Sequence, residues 1–163
     1  MEEDLLRTLN RFGQILEKLV IYSVLLLLAV LITLVFLQVV LRFVFSSGMV
    51  WAEELDRYIF VWLMFLGITM GVYKQKHIAI TVIADRLGRF SKVLRLLVHL
   101  ITGFFFAVLL WQGYQFMLVS ISGMASVLPI NLGIIYSIIP LSSLIAIVFL
   151  ILVIVDGRKE EGL

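Results

Sequence analysis

The chain has 163 residues, of which 63% are apolar and 15% charged, and its formal net charge is +2; an ordinary soluble domain is about 45–50% apolar and about 25% charged. A mean hydropathy of +1.15 excludes a soluble globular domain, and the 13 basic residues are scattered between apolar stretches and form no single basic face for nucleic acid. The lack of cysteine and the presence of only two histidines exclude a disulfide scaffold and a thiolate nucleophile and leave little for a zinc site, so no metal or other cofactor is expected.

The chain starts Met1-Glu2-Glu3-Asp4, the wrong sign for a secretory leader, so the first apolar stretch is expected to remain in the mature protein. Leu5, Leu9, Phe12, Leu16 and Leu19 recur at spacings of four and three, with Arg7, Arg11, Gln14 and Lys18 on other faces. Residues 1–18 therefore read as an amphipathic cytoplasmic segment, either lying along the membrane surface or extending the first span as one helix. Residues 20–41 form the first span, interrupted only by Ser23, Thr33 and Gln38 and closed by Arg42. The second span is strictly apolar only over 58–73, about 24 Å of helix, so residues 49–57 must serve as an arm that helps it across. A basic loop follows at 74–95, in which Ile80, Ile83, Leu87 and Phe90 keep helical spacing and predict a short interfacial helix. Spans three and four read as 96–119 and 134–155, joined by a loop at 120–133 and followed by a tail at 156–163. Trp111, Tyr114 and Tyr136 fall at interfacial depth on one side. The predicted fold is an all-α four-transmembrane-helix bundle forming a single membrane domain.

Eleven of the basic residues fall in the N-terminal segment, the 74–95 loop and the tail, and only Arg42 and Arg57 fall on the other side. Positively charged loops stay in the cytoplasm. Both termini and residues 74–95 are therefore expected to be cytoplasmic, with 43–57 and 120–133 outside, which in a bacterium is the periplasm.

The most unusual stretch is Trp51-Ala-Glu53-Glu54-Leu-Asp-Arg57, with three acids and a base beside an apolar span. Acids in early helical turns suit the helix dipole, and Arg57 lies four residues after Glu53 and three after Glu54, so a local ion pair is available, with Arg42 as a second base. The two readings are an interfacial anchor and a subunit-docking surface. Gly67 and Gly71 form a Gly-x-x-x-Gly pair that marks helix packing, inside the chain or against a partner. Pro140 predicts a bend in span four. His77 reads as a solvated or structural histidine, and His99 is the one strongly titratable side chain inside a span. No span carries an acid or base in its middle, His99 lying one turn into span three, and none is broken by paired Gly or Pro of the kind that builds half-helix substrate sites. Nor is there a phosphate loop, a His-Glu-x-x-His or a nucleophile with its base, so no enzyme is indicated. An accessory or scaffold subunit is the class these residues favour; a free-standing homo-oligomeric transporter or channel-like protein associating through Gly67 and Gly71 is the alternative.

The run Trp51-Ala-Glu-Glu-Leu-Asp-Arg57-Tyr-Ile-Phe-Val-Trp62-Leu-Met-Phe-Leu-Gly67, followed by His77-Ile-Ala-Ile and Asp85, resembles the small membrane subunit of tripartite ATP-independent periplasmic (TRAP) transporters. Leu128-Pro129 and Ile139-Pro140-Leu141 are similar to that family too, so the resemblance covers residues 15–155. Thr81 departs from the pattern, where relatives often carry Asp. The resemblance implies a scaffold paired in the bacterial inner membrane with a large permease subunit. A periplasmic substrate-binding protein would deliver small organic anions such as C4-dicarboxylates, other organic acids or sialic acid, with import driven by sodium. It implies no substrate-binding residue in this chain.

Overall fold

The computed structural model describes residues 2–45, 48–74 and 91–160. Five helices occupy them: α1 (Glu2–Phe45), α2 (Val50–Lys74), α3 (Ser91–Ser120), the one-turn α4 (Leu132–Tyr136) and α5 (Ile138–Glu160). Four stretches are long and apolar enough to cross a membrane: Arg11–Val44, Val50–Lys74, Leu96–Ser120 and Leu132–Val155, the last combining α4 and α5. The interfacial helix expected in the 74–95 loop, with His77 and Asp85, falls on positions 75–90, outside the described residues.

α1 runs unbroken for 44 residues, with no turn between the amphipathic stretch and the first span. The sequence offers no place for one, since neither Gly nor Pro occurs between Gly13 and Gly48 and an apolar helix continues until something denies it a hydrogen bond. Span four, by contrast, is interrupted at Ser137 between α4 and α5. Pro140 occupies the third position of α5, where a missing N–H leaves no bond unmade, while its ring crowds the carbonyl four residues back, at Tyr136. α4 ends at that residue.

In order of contact the helices run α1, α2, α5, α3, with α5 packed on both α2 and α3 and touching α1. The core gathers Val20, Leu66, Ile138, Phe149 and Leu152, and the Tyr73 and Phe149 rings meet at 4.6 Å. α5 approaches its neighbours closely at glycines. A Cβ on Gly113 of α3 would lie 2.5 Å from Ile139 Cγ2 and 3.3 Å from the Pro140 nitrogen, and one on Gly13 of α1 would lie 2.9 Å from Leu152 Cδ1. Helices in lipid gain nothing from hiding apolar surface from one another, so small residues that let backbones approach supply the attraction through packing. The buried hydroxyls of Ser142 and Ser143 both donate to the Ile139 carbonyl, and that of Thr69 to Leu66, which satisfies them inside their own helices. The outer faces of α1 and α3 carry exposed Leu26, Ile32, Phe36, Phe104 and Val119, the surface a lipid-facing helix requires.

Candidate functional site

The head of α2 is the polar centre of the structure. The helix begins with Ala52 N and Glu53 N both donating to the Met49 carbonyl, and its acids fall in the first turns, where free N–H groups favour negative charge. Helical geometry then sorts the motif by face. Trp51, Glu53 and Arg57 are exposed, Asp56 is half-buried, and Glu54 is buried.

Glu54 is held from across the molecule. Its Oε1 accepts from the Tyr58 hydroxyl at 2.9 Å and from Ser126 N at 2.7 Å. Its Oε2 accepts from Val127 N and Leu128 N, both at 2.8 Å. Four donors and no acceptor converge on two oxygens, an arrangement that fits the ionised carboxylate, which only accepts. Three consecutive backbone N–H groups turned to one side form an anion-binding nest, and here the anion belongs to the same chain. Four residues beyond Tyr58, the Trp62 indole N–H donates to the Ile135 carbonyl at 2.9 Å. Glu54, Tyr58 and Trp62 therefore make one polar stripe along α2 that ties it to the segment 126–135.

That segment is stiffened by its own bonds. Ala125 N donates to Ile130 O at 2.9 Å and Leu132 N to Gly123 O at 3.0 Å, with a bridge between Met124 and Asn131. Ile130 N donates to Leu128 O at 2.7 Å across Pro129. Asn131 caps α4 by accepting from Gly133 N at 2.7 Å and donates its amide to the Ile121 carbonyl. Gly133 is required there, because a Cβ would lie 2.7 Å from Ile121 Cγ1 and 3.0 Å from Ile121 Cα. Phe116 and Tyr136, 4.7 Å apart, join the loop's two flanking helices.

The ion pair expected between Arg57 and Glu53 or Glu54 does not form: no ion pair within 4.0 Å occurs among the described residues, and the loop N–H groups hold Glu54 instead. Arg42 is exposed at the end of α1. Asp56, which the motif reading left without a role, accepts from the Gln38 amide of α1, and its Oδ1 is buried with no hydrogen-bond partner. Gly67 and Gly71 are exposed, and among the described residues a Cβ on either would meet nothing within 4 Å, so the pair packs against none of them. Sequence reasoning missed Tyr58, Gln38, Asn131, Gly113 and Gly133. Of these, only Tyr58 left a signal, in the spacing of four that joins it to Glu54 and Trp62.

These features define a small multi-pass helical membrane protein whose buried acid binds its own loop. A sequence model of the family described as tripartite ATP-independent periplasmic transporters, DctQ component, matches residues 31–160, and the chain belongs to that family. That family is a transporter component, not an enzyme family. Among curated relatives, a Haemophilus influenzae protein bearing the name of a TRAP transporter small permease is 41% identical over 68 residues, 42% of each chain. The isethionate TRAP transporter permease protein DctMQ of Oleidesulfovibrio alaskensis is 31% identical over 68 residues, 41% of this chain and 11% of that one. The C4-dicarboxylate TRAP transporter small permease protein DctQ of Vibrio cholerae is 25% identical over 76 residues, 47% of this chain and 33% of that one. The matched region spans less than half the length of each of these relatives.

Proposed function

We propose that this chain is the small scaffold subunit of a TRAP-type secondary transporter. It pairs in the membrane with a large permease subunit, and a periplasmic binding protein delivers small organic anions, of the C4-dicarboxylate, other organic acid or sialic acid class, for import on a sodium gradient. Both termini and residues 74–95 face the cytoplasm; residues 43–57 and 120–133 face the periplasm, as the bias of eleven basic residues to two requires. The names of two relatives, one for isethionate and one for C4-dicarboxylate, fit small anionic cargo.

One observation carries the scaffold role. The buried acid at the head of α2, Glu54, is fully occupied by three N–H groups of the chain's own loop and by the Tyr58 hydroxyl, whereas a transport path keeps its ionisable groups for cargo or coupling ion. Trp51, Glu53 and Arg57 stay exposed beside this anchored head, and Gly67 and Gly71 lie open along the same helix, which fits contact with the large permease. The uptake test uses proteoliposomes with an imposed sodium gradient. The chain alone gives no uptake of organic anion, and adding the large subunit and binding protein restores it; sodium-dependent uptake by the chain alone overturns the scaffold reading. Orientation is read separately, with Ser122→Cys in this cysteine-free chain. Labelling from the periplasmic side is expected, and labelling only from the cytoplasm reverses the topology.

A further inference from the structure

Where α1 ends and α2 begins, the two helices enclose a groove of about 340 Å³, within the range of about 300–1,000 Å³ in which small-molecule sites fall. One wall is apolar, made by Val35, Val39 and Phe43; its polar groups are Gln38 and Arg42 of α1 and Glu53 of α2. Arg42 and Glu53 carry opposite charges into one cavity, yet Glu53 forms an ion pair with neither Arg42 nor Arg57. Arg42 closes the apolar run of α1, the depth at which a span emerges from hydrocarbon into the phosphate layer.

We infer that this groove seats the headgroup of a phospholipid bearing a primary ammonium, phosphatidylethanolamine, its phosphate against Arg42, its ammonium against Glu53 and an acyl chain along Val35, Val39 and Phe43. A guanidinium meets two phosphate oxygens at once, and a carboxylate accepts directly from an ammonium. The surrounding charge selects the zwitterion. Asp56 lies behind the lining, bonded to Gln38 with its Oδ1 buried, and Glu54 points away into its loop, so the lining itself offers one base, Arg42, and one acid, Glu53. One charge of each sign favours a headgroup that carries both over a purely anionic one.

The site is independent of transport, so its test measures no uptake. The full-length chain is purified, stripped of lipid, and titrated with phosphatidylethanolamine or phosphatidylglycerol of identical acyl chains, with retention read by native mass spectrometry. Phosphatidylethanolamine should be retained about three- to fivefold better, the scale of a partly exposed charge pair. Glu53→Gln should bring it down to the phosphatidylglycerol level, Arg42→Gln should lower both, and Arg11→Gln, at the far end of α1, should change neither. Circular dichroism checks folding; if Arg42→Gln does not fold, Glu53→Gln alone decides. Equal retention of the two lipids, or a preference that survives Glu53→Gln, overturns the assignment. So does loss of bound phosphatidylethanolamine when the chain is purified with its large subunit, because the groove is then a protein contact.

Discussion

The two ends of α2 are built on opposite plans. At its head, Glu54 and Trp62 bind the 126–135 segment through four hydrogen bonds, with the Tyr58 hydroxyl bracing Glu54 from within α2; toward its tail, a Cβ on Gly67 or Gly71 would meet none of the described residues within 4 Å. The contrast recurs between helices, since Gly113 of α3 is wedged against Ile139 and Pro140 whereas a Cβ on either glycine of α2 would meet none of the described residues within 4 Å. Residues of identical type thus serve internal cohesion in one region and leave an unused surface in the other, and only packing partners distinguish them.

The sharpest way to break the contrast is to remove the anchor. Glu54→Ala deprives three adjacent N–H groups of their acceptor, so the amides of Ser126, Val127 and Leu128 should exchange with solvent on the order of tenfold faster or more by hydrogen-exchange mass spectrometry. Glu54→Gln should recover only part of the protection, because its amide turns a donor toward donors. Unchanged exchange in Glu54→Ala would mean that the loop's own bonds suffice. Next in size is Gly113→Ala. The new methyl meets a backbone nitrogen as well as the Ile139 side chain, and overpacking of this kind costs about 1–3 kcal/mol, measurable as a lowered unfolding midpoint in detergent. The smallest effect belongs to the same substitution at the open face. Gly67→Ala should leave the isolated chain within about 1 kcal/mol of the parent, on the stabilising side, as a helix gains from losing a glycine. If Gly67→Leu, equally harmless to the isolated chain, abolishes co-purification with a large subunit, the open face is the docking face.

The four spans were legible because each is a continuous apolar run, and in lipid such runs have no alternative to helix. The family resemblance was legible in the Trp51–Gly67 run. The anchor was not, although every residue in it is ordinary. Glu54 is bonded to backbone N–H groups 72 to 74 positions away, and a backbone donor has no side-chain identity to read. The nearby Arg57 offered a local partner that sequence spacing favours, yet three aligned N–H groups already fill both carboxylate oxygens. The Gly-x-x-x-Gly rule marks surfaces able to approach another helix without saying which helix: among the described residues the close helix approaches use isolated Gly13, Gly103 and Gly113, whose partners only the fold reveals.

Pro129, finally, sets a length. It has no N–H, so the row of donors at 126, 127 and 128 stops there, and the bond from Ile130 N to Leu128 O folds the chain back around it. The distance from Ile121, held by the Asn131 amide, to the end of that row is thereby counted out in whole residues, like teeth on a gauge. Surface loops ordinarily absorb insertions freely. This one has no such latitude, because a single residue added or removed between Gly123 and Pro129 slips the row past the carboxylate, and variation in this family's members should accordingly change the letters of the segment far more readily than their number.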